Sequence, residues 1–193
     1  MSESPLDLHR TFRAVIEAAG EVGVSHAFIG ALPVLAWGRV RATTDLDVVV
    51  LAGNDWSRLT SALRARGLEQ ARSIGPADAA DALPDIAVFK SAGERGARVD
   101  VFVAKTDFER EVIATAREAT VFGLCVRLAC PEASIIYKLL AQRRKDVEDV
   151  ESIFEARAVA GDVLDWAFLE KWAAVWGISD RLSSYRARFG PRR

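Results

Sequence analysis

A chain of 193 residues, half of them hydrophobic and 27% charged, is long enough for one domain, or one small domain with a helical appendage, and too apolar to be disordered. A net charge of −1 excludes recruitment of nucleic acid by the field of the whole molecule, although Arg181, Arg186, Arg188, Arg192 and Arg193 crowd the C-terminal end. The two cysteines, Cys125 and Cys130, have no zinc-site or disulfide spacing, the N-terminal segment has no apolar signal core, and no apolar run reaches the roughly 18 residues that span a bilayer, so a reduced cytoplasmic protein without membrane contact is expected.

In chain order, Leu8, Phe12, Val15, Ile16 and Ala19 recur at helical spacing and predict a helix over 4–20, ended by Gly20 and Gly23. Residues 25–30 read as a short strand and 31–37 as a short helix, with Gly38 as its C-cap. The strand at 45–51 (DLDVVVL) is apolar enough to be central. A helix over 55–66 stops at Gly67, and 73–84 reads as a loop. Residues 86–90 and 98–104 form a strand pair around a turn at 91–96. A helix over 108–116 and further strand within 120–128 follow. Pro131 opens a long helical stretch through Glu155, with Glu132 near its positive end. Two more helices cover about 163–176 and 179–188. The expected class is α+β, with a mixed-sheet core over 1–128 that includes the N-terminal helix, and a helical region over 129–193 packed on it.

The chemistry centres on three carboxylates. Side chains alternate along a strand, so Asp45 and Asp47 share a face, about 7 Å apart. Their repulsion makes sense beside a divalent cation, and hard Mg²⁺ suits oxygen ligands and substrate phosphates. Asp100 is the lone acid in the apolar run Val99 to Val103. If its strand lies beside that of Asp45, three carboxylates meet and can hold two metals that clamp an in-line phosphoryl displacement. Asp45 and Asp47 would hold the metals, and Asp100 would bind the one nearer the nucleophile and take its proton. The alternative is three ordinary acids on a solvated face.

Upstream, Gly30 lies between a strand and a helix, where backbone N–H groups can approach a phosphate; an ordinary turn is the other reading. Arg41 and Thr44 flank the acids, and Arg41 reads either as a triphosphate ligand or as a surface arginine.

Taken together, these residues resemble the DNA polymerase β-like nucleotidyltransferase superfamily. The resemblance rests on Ile29-Gly30-Ala31, thirteen residues from Leu32 to Thr44, Asp45-Leu46-Asp47, and Asp100 on a later strand. The pattern Gly38-x-x-Arg41-x-Thr43-x-Asp45-x-Asp47 is similar to the small AbiEii-like group, which includes toxins of toxin–antitoxin systems. So is the later Pro131-Glu132, Lys138-Leu139, Arg143-x-Lys145-Asp146-x-x-Asp149 run. Ala31 stands where the superfamily has Gly or Ser, which leaves a backbone N–H but no hydroxyl for phosphate.

The resemblance covers about 24–157. It implies a nucleotidyltransferase core of mixed sheet and flanking helices, Mg²⁺ (two ions), and a nucleoside triphosphate donor, ATP among the candidates. Asp45, Asp47 and Asp100 become catalytic and metal-binding; Gly30, Ala31, Arg41, Thr44 and Lys138 become nucleotide-binding. The implied reaction moves a nucleoside monophosphate onto an acceptor hydroxyl of tRNA or protein, and a cognate antitoxin is an implied partner. Arg143, Arg144, Lys145 and the terminal arginines favour RNA. The alternatives are an aminoglycoside-type antibiotic nucleotidyltransferase and a non-catalytic nucleotide-binding module. Lys138, with Gln142, Lys145 and Asp149 on one face of a continuous helix, reads as a phosphate ligand or as part of a solvated stripe. Asp146 reads as a helix-surface partner of Arg143 or Lys145.

Overall fold

The structure, a computed structural model, describes residues 5–75, 85–92 and 96–190. Most of the expected loop over 73–84, part of the turn over 91–96, and Arg192 and Arg193 lie outside the described residues. The strands are β1 (Ser25–Ile29), β2 (Asp45–Leu51), β3 (Leu68–Ile74), β4 (Ile86–Ser91), β5 (Arg98–Val103), β6 (Arg117–Val121) and β7 (Leu124–Leu128). The helices are α1 (Pro5–Val22), α2 (Ala31–Trp37), α3 (Trp56–Ala65), α4 (Asp107–Ala114), α5 (Pro131–Ala141), α6 (Arg144–Ala160), α7 (Trp166–Val175) and α8 (Ser179–Phe189). They form two compact units. One holds the chain up to Ile29 with Ala42–Leu128, and the other holds Gly30–Arg41 with the chain from Ala129 onward. The short segment of α2 thus belongs with the C-terminal helices.

The first unit is a seven-stranded sheet in the order β3-β4-β5-β2-β1-β7-β6. β2 is central, as its composition predicts. Val48, Val49 and Val50 are each no more than 2% exposed, so both faces of the strand are covered. It pairs antiparallel with β1 and parallel with β5. α4 packs on β1 and β2, and α1 packs on α3. Phe12 of α1 meets Phe28 of β1 edge to face, ring centroids 4.6 Å apart. Thr106 and Glu109 close a reciprocal capping box at the start of α4.

Three local expectations change here. α1 runs through Gly20 to Val22, and the stop is Gly23, whose φ of 77° suits a residue without Cβ. β3 occupies residues 68–74, part of which reads as loop. Only Leu68 of the strand is buried, so its sequence carries no apolar alternation. It forms because β4 offers it a ladder of backbone donors and acceptors. The strand segment at 120–128 is a hairpin, β6 and β7, whose turn residues Phe122 and Gly123 have φ of 51° and 78°.

The second unit is helical. Ile135, Ile136, Ile153, Phe154 and Leu169 are at most 1% exposed and make its core. The long helix expected from Pro131 to Glu155 breaks. Gln142 adopts a left-handed conformation with φ of 52°, and α6 restarts at Arg144. Asp146 drives the restart by accepting the Arg143 backbone N–H at 3.1 Å, as an acid in the first turn of a new helix does. Lys138 and Asp149 therefore do not share one face of a continuous helix. They face each other from α5 and α6, and Lys138, 4% exposed, lies on no solvated stripe.

Candidate active site

The parallel register between β2 and β5 assembles the carboxylates of the first unit. Asp47 is paired with Asp100, and Asp45 with Arg98. With the period of two along each strand, Asp45, Asp47, Arg98 and Asp100 occupy one face. Val48 to Val50 are buried, whereas Asp45 is exposed and Asp47 half-buried, so the acids sit at the open end of a strand whose middle is anchored in the core. Just ahead, Thr43 Oγ1 donates to the Asp45 carbonyl at 2.9 Å, and Thr44 Oγ1 lies 3.4 Å from Asp45 Oδ1.

Like charges facing each other across a ladder are destabilising. The compensation is Arg98. Its Nε and Nη2 donate to Asp100 Oδ1 and Oδ2, each at 2.6 Å, a bidentate fork on a carboxylate whose side chain is 16% exposed. These hydrogen bonds raise the Arg98 pKa further above its usual value; burial opposes them, and the charges of Asp100, Asp45 and Asp47 add to them. A cation is thus already drawn to these carboxylates. Both Asp100 oxygens are turned onto Arg98, and among the described residues no group of three or more His, Cys, Asp or Glu side chains is arranged to hold a metal ion. The donor set nevertheless fits Mg²⁺ chemistry, being hard oxygens on adjacent strands in a spot that attracts positive charge.

In the second unit, Gly30 precedes α2 with φ 72° and ψ −118°, a conformation that glycine alone adopts without strain. Ala31 is 5% exposed at the first position of α2. Gly38 caps α2, its N–H donating to the Val34 carbonyl at 2.8 Å, as expected. Its lack of a side chain has a different cause. A Cβ there would stand 2.6 Å from Ser152 Oγ and 3.1 Å from the Ile153 backbone nitrogen of α6. Trp37 Nε1 donates to the Ala129 carbonyl at 2.8 Å.

Arg39 and Arg41 follow, and both reach one carboxylate. Asp149 Oδ1 accepts from Arg39 Nε at 3.1 Å and lies 3.4 Å from Arg41 Nε. Lys138 Nζ lies 3.0 Å from Asp149 Oδ2 and 3.0 Å from Asp146 Oδ1. Asp146 also accepts from Arg143 Nε at 2.7 Å. Arg143 is its expected partner, but Asp146 is fully buried rather than on the helix surface. Burial pushes its carboxyl pKa up, and hydrogen bonds and charge from Arg143 and Lys138 more than offset that, leaving it below the usual range.

The carboxylates, Gly30, Arg41 and Lys138 stand out in the sequence. Arg98, Arg39 and the central position of Asp149 do not. Arg98 has one legible signal, its two-residue spacing from Asp100 on a strand.

No protein-family model and no curated protein matches the chain. Solved structures do. The antibiotic-resistance factor ANT(2'')-Ia in solution superposes with a TM-score of 0.57 at 19% identity, over 94% of this chain and 97% of that one. An antigenic nucleotidyltransferase-like protein from Paracoccidioides brasiliensis gives 0.53 at 17%, over 91% and 90%. The lincosamide antibiotic adenylyltransferase LnuA, lincomycin-bound, gives 0.52 at 12%, over 75% and 94%. At such identities the likeness is one of fold, and the chain has the α+β nucleotidyltransferase fold, as its sequence predicts.

Proposed function

We propose that this protein is a nucleotidyltransferase of the DNA polymerase β-like superfamily that moves a nucleoside monophosphate from a nucleoside triphosphate onto an acceptor hydroxyl. The observation that carries the reading is the pairing of Asp47 with Asp100 on adjacent parallel strands, with Asp45 on the same face. Asp45, Asp47 and Asp100 would hold Mg²⁺, which would supply positive charge to the phosphates and to the attacking and leaving oxygens. The acceptor oxygen bonds to the α-phosphorus, the bond to pyrophosphate breaks, and Asp100 takes the hydroxyl proton. For that step Arg98 must first give up at least one Asp100 oxygen. Gly30 and the N–H of Ala31 are the proposed phosphate turn, and Arg41, Thr44 and Lys138 the further nucleotide contacts.

RNA or protein is the acceptor class that the AbiEii-like motif spacing supports, with a toxin role and an antitoxin partner as its setting. The case from basic residues is weaker than the sequence implies. Arg143 is engaged by Asp146, Arg186 by Glu170 and Arg188 by Glu151. A second reading, transfer to an antibiotic hydroxyl, is favoured by the fold likeness to ANT(2'')-Ia, also solved in complex with adenylyl-2''-tobramycin (TM-score 0.54, 17% identity, 88% of this chain and 95% of that one), and to LnuA. The test incubates the protein with each α-labelled NTP, Mg²⁺, and in turn cell RNA, protein, an aminoglycoside and a lincosamide. Label on one acceptor, lost in Asp45→Asn, assigns the class. NTP binding without transfer to any of them assigns a nucleotide-binding module instead.

A further inference from the structure

The geometry points to Asp149 as a positioning residue that holds Arg41 for contact with the nucleotide phosphates, an inference that rests on the nucleotidyltransferase reading above. Asp149 is fully buried, yet three cationic side chains converge on its two oxygens. Lys138 comes from α5; Arg39 and Arg41 come from the segment after α2. A buried carboxylate needs one good cationic partner; Arg39, hydrogen-bonded to Oδ1, supplies it, while Lys138 lies 3.0 Å from Oδ2 and gives its hydrogen bond to Asp146. Bringing a second guanidinium to Oδ1 adds repulsion between the two that folding alone does not require.

The two arginines are held differently. Arg39 is gripped along its length by α6: Nε on Asp149 at 3.1 Å, Nη1 on Glu148 at 2.7 Å, and Nη2 on the Lys145 carbonyl at 3.5 Å. Gly38, without a side chain, lets this segment lie against Ser152 and Ile153 of the same helix. Arg39 and Gly38 thus fix the backbone, and Arg41, two residues on, shares the Asp149 oxygen through Nε. The group made by Lys138, Arg39, Arg41 and Arg143 with Asp146, Glu148 and Asp149 has four cations and three carboxylates. Its surplus charge is positive, the sign that receives a phosphate. Arg41 also lies four residues before Asp45 in the chain, at the start of the segment that delivers the carboxylates. The Gly38-x-x-Arg41 and Lys138…Asp146-x-x-Asp149 patterns are, on this inference, two halves of one device that orients Arg41.

A double-mutant cycle on affinity for Mg²⁺–NTP, measured by calorimetry, tests this. Arg41→Gln leaves Asp149 paired with Arg39 and Lys138 and is expected to weaken binding about tenfold; Asp149→Asn should weaken it by about the same factor. The double variant should be no worse than Arg41→Gln alone, because each change removes the same oriented arginine. Glu151→Gln, elsewhere on α6 and paired with Arg188, should stay within about twofold of wild type. If Asp149→Asn does not fold, Arg39→Gln/Asp149→Asn, which removes one charge of each sign, takes its place in the cycle, with Arg39→Gln as its reference. A merely structural Asp149 would lower the melting temperature and multiply with Arg41→Gln. Additive losses, or unchanged affinity in a folded Asp149→Asn protein, overturn the positioning role and leave the nucleotidyltransferase reading standing. Absence of binding by the wild type to all four Mg²⁺–NTPs overturns that reading, and the positioning role with it.

Discussion

Arg98 and Gly38 show how much a single residue decides here. Arg98 neutralises a face on which three acids would otherwise repel one another, and it does so with both Asp100 oxygens. Arg98→Gln should cost the metal-free protein about 1 kcal/mol, since the pair is partly exposed and screened. It should also tighten Mn²⁺ binding, because a competing cation is gone. Mn²⁺ titration checks this; unchanged or weaker affinity would show that Arg98 does not compete for the carboxylates. At Gly38 the close approach of α6 leaves no room for a side chain. Gly38→Ala should lose about 1–3 kcal/mol through overpacking against α6. Adding Ser152→Ala removes the 2.6 Å clash but leaves the 3.1 Å approach to the Ile153 backbone, so it should restore only part of that loss in denaturant melts. Full recovery would place the whole effect on the hydroxyl.

At the scale of elements, the junction between α5 and α6 matters most. A continuous helix would put Lys138 and Asp149 on one stripe. The break at Gln142 turns α6 back so that Asp146 and Asp149 meet Lys138 from the neighbouring helix. The depressed pKa of Asp146 has a definite sign in stability. A carboxyl lowered in the folded state contributes stability that is present above its unfolded pKa, about 4, and is lost as pH falls through the folded value. Asp146→Asn should therefore be less stable than wild type at pH 7 by about 1–3 kcal/mol, because Lys138 and Arg143 lose a charged hydrogen-bond acceptor. The gap should narrow as pH falls below about 4. Chemical denaturation at pH 7 and pH 3 measures it; a gap that stays constant would contradict the linkage.

At the scale of the whole molecule, no helix among the described residues is long and apolar enough to cross a membrane, and the fold is one that other chains use for nucleotidyl transfer. On the proposed function, a Mg²⁺–NTP at about a hundred times its Kd should add about 2.7 kcal/mol to stability. For a chain of this size that raises the melting temperature by about 5–10 °C. Asp47→Asn should abolish the shift while remaining folded. A melting temperature that none of the four NTPs moves would count against nucleotide binding at these carboxylates.

The sequence alone determined the strand that carries Asp45 and Asp47, their common face, the second strand with Asp100, the α+β class and the helical C-terminal part. These follow from periodicity, caps and apolar runs, which act over a few neighbouring residues. Tertiary structure alone decided that Asp47 stands opposite Asp100, that Arg98 closes on Asp100, that residues 30–41 join the C-terminal helices, and that Asp149 gathers Lys138, Arg39 and Arg41. β3 belongs here too, an edge strand induced by its neighbour rather than by its own pattern. All of these except the Arg98–Asp100 pair depend on which distant segment supplies the partner. A charged side chain reads alike in sequence whether it faces water or a buried counter-charge more than 100 residues away, as the 110-residue separation of Arg39 and Asp149 shows. Strand register and helix packing make that choice, because burying a charge is tolerable only where the fold brings its partner within hydrogen-bonding distance.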